Sequence, residues 1–74
     1  MNKQRRERIR RLVDNMRTLE NELSDILNEE QDYYDNIPEN LLSSDRAVDS
    51  EEAIDNLEDA LDYITQVIDA IESI

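Results

Sequence analysis

The sequence predicts an all-α fold, an antiparallel hairpin of two long helices, and three observations predict it. Apolar residues recur at alternating steps of three and four in both halves of the chain. Gly is absent, so the usual residue of tight β-hairpin turns is missing. The one Pro, Pro38, falls between the two periodic halves. Together these give a single helical domain, 1–74, with helix 1 over about 3–34, a connector over about 35–45 and helix 2 over about 46–74.

In helix 1 the apolar residues run Ile9, Leu12, Met16, Leu19, Leu23 and Ile26, with Glu30 filling one place before Tyr33. That spacing predicts one coiled-coil seam, the a and d positions of a heptad. Val13 and Leu27 widen the stripe on one flank. In the connector, Asp35-Asn36-Ile37-Pro38-Glu39-Asn40 is rich in residues that tolerate turns. The residue before a proline is pushed out of the helical region, so helix 1 stops before Ile37. With no Gly, Asn36 or Asn40 is the expected left-handed cap, and Leu41 and Leu42 are expected to fold back over the end. Ser43 or Ser44 is one candidate cap for helix 2; Asp49, with Glu52 as its capping-box partner, is another. Helix 2 repeats the seam with Ile54, Leu57, Leu61, Ile64, Ile68 and Ile71, flanked every seventh residue by Ala53, Ala60, Val67 and Ile74.

Charge supports antiparallel pairing. Residues 1–17 hold seven of the eight cations against Glu7 and Asp14, a net of +5, while residues 18–74 carry −17. An antiparallel hairpin lays the basic start of helix 1 beside Asp62, Asp69 and Glu72. A parallel pair is out of reach of so short a connector. The flanks are apolar where a lone pair of helices leaves them wet, and a stripe this wide suits a bundle. A homodimer forming a four-helix bundle is the simplest completion, with Val13, Leu27, Ala53, Ala60, Val67 and Ile74 as its contact flank. A second use of the same surface is a different protein.

The composition excludes several classes of function. Without Cys there is no disulfide or thiolate metal site, and without His the commonest metal ligand and general base are missing. Without Gly there is no phosphate-cradling loop. No apolar run approaches the ~18 residues of a membrane span, and the basic start lacks the apolar core of a secretory signal, so a cytoplasmic protein is expected. A formal charge of −12 repels nucleic acid and anionic lipid. It attracts basic protein surfaces, including those that ordinarily hold nucleic acid.

Four features are candidates for function. The first is the acidic surface: Asp55, Glu58, Asp59, Asp62, Asp69 and Glu72 on helix 2, and Glu22, Asp25, Glu29 and Asp32 on helix 1. Like charges at these spacings cost ~0.2–0.5 kcal/mol each. Glu29, Glu30 and Asp32 also lie at the negative end of the helix 1 dipole, and Arg5 and Arg6 at its positive end, against the usual preference. A partner-binding face explains such placements; the competing reading is a solvated face. Carboxylates a turn apart lie ~6 Å from each other, near the spacing of successive phosphates, so a nucleic-acid mimic fits. The expected charge donors are Glu29, Asp55, Glu58, Asp59 and Asp62. The second is the basic start of the chain, which a nucleic-acid or acidic-protein contact would use, but with no aromatic residue among 1–32 to stack on bases the favoured reading is neutralisation of the acidic end of helix 2. The third is carboxylate chemistry: Glu51-Glu52 with Asp55, and Glu58 with Asp62, are similar to the metal-binding helices of all-helical nucleotide pyrophosphohydrolases. Those need acids converging inside a bundle, whereas most acids here point away from the seam. No catalytic, cofactor or metal site is expected. The fourth is the tyrosines, with Tyr33 as a core cap and Tyr34 and Tyr63 as interface anchors.

At the connector and helix 2, Tyr34-Asp35-Asn36-Ile37-Pro38-Glu39-Asn40-Leu41, Ser44-Asp45-Arg46 and Glu51-Glu52-Ala53-Ile54-Asp55-Asn56-Leu57-Glu58 resemble short acidic reading frames of Firmicutes and their phages. The resemblance covers about half the chain. It implies a phage or mobile-element setting, where small acidic helical proteins often inhibit host defence or DNA-handling proteins, and it assigns no active-site residue. The expectation is therefore a non-enzymatic module that occupies a basic surface of a larger protein. The alternative is a structural coiled-coil protein acting as a homo-oligomer.

Overall fold

The computed structural model describes residues 1–74 as two helices and no strand. Helix α1 spans Lys3–Asp35, a short 3-10 turn spans Glu39–Leu41, and helix α2 spans Asp45–Glu72. The molecule is a rod of 60 × 15 × 13 Å. No helix is long and apolar enough to cross a membrane.

The helix ends follow from single side chains. Asn2 caps α1 by accepting from the Arg5 backbone N–H at 2.8 Å, which satisfies one of the amides left without a partner in a first turn. At the other end, Asn36 closes α1 without a left-handed residue: its backbone is right-handed, and its Nδ2 donates to the Asp32 carbonyl at 2.7 Å. The expected left-handed cap at Asn36 or Asn40 is absent, since no residue has positive φ. A side-chain donor supplies what a left-handed turn would have given, and Ile37-Pro38 then prevents the helix from continuing. Of the candidate caps for α2, Ser44 takes the role, its Oγ accepting from the N–H of Ala47 at 3.3 Å. Leu41 turns back beside Tyr33 and Ile37 in a shallow notch but stays half exposed.

The helices run antiparallel, shown by the side chains that meet. Arg17 pairs with Glu72, Glu20 with Thr65, Glu30 with Ser50 and Tyr34 with Glu51. Early residues of α1 thus face late residues of α2. The buried core is small: Val13, Ala47, Ile54 and Ile68, with Ser50 as the one buried polar residue. Around it lie the half-buried Ile9, Met16, Leu23 and Leu27 of α1 and Leu57, Leu61, Ile64 and Ile71 of α2.

The seam of α2 is the one its periodicity predicts, but that of α1 is rotated. Val13 and Leu27, expected on the outer flank, face inward, as do Glu20 and Tyr34. Leu12, Leu19, Ile26 and Tyr33, expected in the seam, each keep between 43 and 53 % of their surface exposed. The physical reason is that α1 carries three apolar positions per heptad. These span ~100° of its circumference, more than one neighbouring helix can cover. Rotation lets Glu20, Glu30 and Tyr34 reach hydroxyls and a carboxylate of α2, and leaves the surplus apolar row outside.

Candidate functional site

Two helices in contact leave two long edges along the line where they meet, and here these edges differ in chemistry. One edge is closed by polar side chains. Arg17 is ion-paired to Glu72, Thr65 Oγ1 donates to Glu20 at 2.8 Å, and the Tyr34 hydroxyl donates to Glu51. These bonds occur at both ends and the middle of the edge, and no buried polar side-chain atom in the molecule lacks a partner. The bond from Tyr34 raises its phenol above the ordinary value of 10.0. The hydrogen bond to the Glu51 carboxylate is the main cause, followed by desolvation and the negative charges of Glu51 and Asp35.

The other edge is apolar and open. Leu12, Leu19, Ile26 and Tyr33 form a row along α1 at seven-residue intervals. Tyr33 borders one cleft together with Ala53, Ser50 and Arg46 of α2, and Leu19 and Ile26 border another with Leu23 and Ile64. The α2 side of the face is therefore Ala53, Ala60 and Val67, which share a heptad position. Val67 is 46 % exposed. The row from Leu12 to Tyr33 is about 32 Å long at the rise of an α-helix. Contiguous exposed apolar surface of this kind marks interaction sites.

Of the expected flank residues, Ala53, Ala60 and Val67 lie on this face. Val13 and Leu27 lie inside the hairpin. Ile74 lies beyond the end of α2, against the cleft that Arg6, Arg10 and Val13 line, and not in the row. The residues missed by the periodicity are Leu12, Leu19, Ile26 and Tyr33. The signal that could have found them is the third apolar position in each heptad of α1, one more than a two-helix seam can bury.

The expected charge donors are all exposed, but they do not form one patch. Glu58 is seven residues from both Glu51 and Thr65 and so lies along the polar edge. Asp55 and Asp62 lie on the outside of α2 next to it, and Asp59 points directly outward. Glu29 is on the other side of the rod, one heptad beyond Glu22, which borders the apolar face. Tyr63 is 65 % exposed and stands one turn from Asp59, Ala60 and Val67, at the junction of the acidic outside and the apolar face. Tyr34, expected as an anchor, is half buried with its hydroxyl committed to Glu51. Only two of the twenty acids are ion-paired within the chain, Glu7 with Arg10 and Glu72 with Arg17. No three acids converge as a metal site would require. No protein-family model, curated protein or solved structure matches this chain.

Proposed function

We propose that this protein is a non-enzymatic protein-binding module whose acidic exterior occupies a basic surface of a larger protein, in the manner of a phage or mobile-element inhibitor that imitates nucleic acid. The observation that carries this reading is the disposition of the acids. Eighteen of twenty have no cationic partner in the chain, and all of these but Glu20 and Glu30, which turn toward α2, line the outside of a thin rod. Carboxylates held at ~6 Å intervals on rigid helices need no reordering to meet a row of lysines and arginines, so little conformational entropy opposes binding. Asp55, Glu58, Asp59 and Asp62 supply one continuous ridge, with Tyr63 as the aromatic anchor at its border. The test is a pull-down from cell lysate with mass-spectrometric identification, comparing wild type with the Asp55→Asn, Glu58→Gln, Asp59→Asn, Asp62→Asn variant. A basic protein captured by wild type and lost in the variant supports the reading, and its affinity falls steeply with salt. Equal capture by both, or an affinity indifferent to salt, overturns it.

A second reading is favoured by the open apolar face. The chain is a structural homo-oligomer in which two hairpins close a four-helix bundle, and the acids are its solvated outside. The two readings use different surfaces. Neutralising Asp55, Glu58, Asp59 and Asp62 strengthens self-association under the second and abolishes partner binding under the first.

A further inference from the structure

We infer that the occupant of the apolar face is a second copy of this chain, docked head to tail, so that the open end of each hairpin lies beside the connector of the other. The inference deepens the assembly reading and rests on it. It uses none of the acidic ridge.

The size of the exposed surface argues for a second copy. The chain exposes 5844 Å², whereas a compact monomer of its mass exposes about 4,700 Å². The excess, about 1,100 Å², is comparable to the ~800 Å² that each partner contributes to a standard stable interface. A face of this length with only aliphatic and aromatic centres is also self-complementary under a two-fold axis.

Two isologous arrangements are open to a pair of such hairpins. With the axis along the rod, the connectors lie at the same end and α1 of each copy faces α2 of the other. With the axis across the rod, the connectors lie at opposite ends, α1 packs on α1 and α2 on α2. Charge separates the two. At the open end, residues 1–17 and 62–74 sum to +2; at the connector end, residues 29–52 sum to −8. The rod is 60 Å long and salt screens charge beyond ~8 Å, so each end interacts only with what is beside it. Connectors at the same end set −8 against −8. Head-to-tail docking sets +2 against −8 at both ends, bringing Arg5 and Arg8, which border Leu12 on this face, next to the other copy's acidic connector.

Side-chain size agrees. The face narrows on α2 from Val67 to the alanines Ala60 and Ala53. Head-to-tail docking about an axis level with Leu23 brings Val67 of one copy to Ala60 of the other, large against small. On α1 it brings Leu19 to Ile26 and Leu12 to Tyr33. The same-end arrangement instead crowds Leu19 with Val67 and leaves Tyr33 over Ala53, so layers at the two ends differ in volume. Even layers are what a close-packed core requires.

The native chain has no cysteine, which makes the orientation directly measurable. Sedimentation equilibrium of the wild type at micromolar concentration should give twice the 8.7 kDa of one chain. A monomer there overturns the inference and the assembly reading together. Single-cysteine variants on this face then report orientation, after circular dichroism confirms their helicity. Mixed Leu19→Cys and Ile26→Cys chains should cross-link with a short bismaleimide, as should mixed Ala60→Cys and Val67→Cys. Mixed Leu19→Cys and Val67→Cys should not. The opposite pattern leaves the dimer standing and overturns the head-to-tail docking. An Arg5→Glu, Arg8→Glu variant gives a second readout: its dimer should dissociate at least tenfold more readily, and an unchanged dissociation constant counts against the charge argument.

Discussion

The two edges of the hairpin are made by the same two helices over the same length, yet they are finished differently. Along one, Arg17, Glu20 and Tyr34 reach across to Glu72, Thr65 and Glu51, so polar groups meet within the chain. Along the other, Leu12, Leu19, Ile26 and Tyr33 stand beside Ala53, Ala60 and Val67 with nothing over them. A hairpin has no third layer, and a helix with three apolar positions per heptad must leave one of them outside. What is instructive is that both helices leave their surplus on the same side. One face results, not two scattered rows, and a single partner can cover it.

The strongest way to break this contrast is to place the same charge on each edge. Val67→Lys or Ala60→Lys on the apolar face should weaken self-association by on the order of 2–4 kcal/mol, because a desolvated ammonium has no partner at the centre of an interface. Thr65→Lys, two residues before Val67 but on the polar edge, should change it by under about 0.5 kcal/mol. Sedimentation across a concentration series reads both. Equal effects at the two edges would remove the distinction between them.

Between the edges lies one buried polar bond. Ser50 is 3 % exposed and its Oγ donates to Glu30 at 2.6 Å. Glu30→Ala should cost about 1–2 kcal/mol in chemical denaturation, since it strips the acceptor from a buried hydroxyl. Adding Ser50→Ala to that variant should recover part of the loss, because replacing both partners leaves nothing unsatisfied. A loss that deepens in the double variant would mean that the serine packs, and does not bond, its way into the core. Smaller still is the effect at the polar edge: Arg17→Ala should cost under about 1 kcal/mol, as expected of a solvent-exposed ion pair.

How far the sequence went depends on which helix is considered. In α2 the apolar residues repeat at two heptad positions with small residues beside them. The inward side was therefore legible, and Ile54, Leu57, Leu61, Ile64, Ile68 and Ile71 all face α1 to some degree. In α1 the a positions Ile9, Met16 and Leu23 were legible too, but the choice between the rows led by Leu12 and by Val13 was not. Periodicity ranks positions by how apolar they are, and on that measure the Leu12 row wins. The fold chose the Val13 row because Glu20 and Tyr34 share it and find partners on Thr65 and Glu51. Such bonds between the two helices have no signature in the spacing of one helix. The cap at Asn36 was obscured for a similar reason, since its side-chain amide does what a left-handed backbone was expected to do.

Tyr34 offers the finest test of the polar edge. Its hydroxyl donates to the Glu51 carboxylate, and that bond, with desolvation and the nearby Asp35, holds the phenol above its ordinary value. The bond favours the protonated form in the folded chain, so the stability it contributes is fully present below pH ~10, the ordinary tyrosine value. It is lost as pH rises through the elevated value of the folded state, where the phenolate would face a carboxylate of the same sign. Ultraviolet titration of the phenolate should therefore show one of the three tyrosines ionising later than the rest, and that component should vanish in Tyr34→Phe. In Glu51→Gln the late component should move down toward the ordinary range. If it does not move, the delay comes from the general negative field of the chain, and the polar edge is then closed by Arg17 and Glu20 alone.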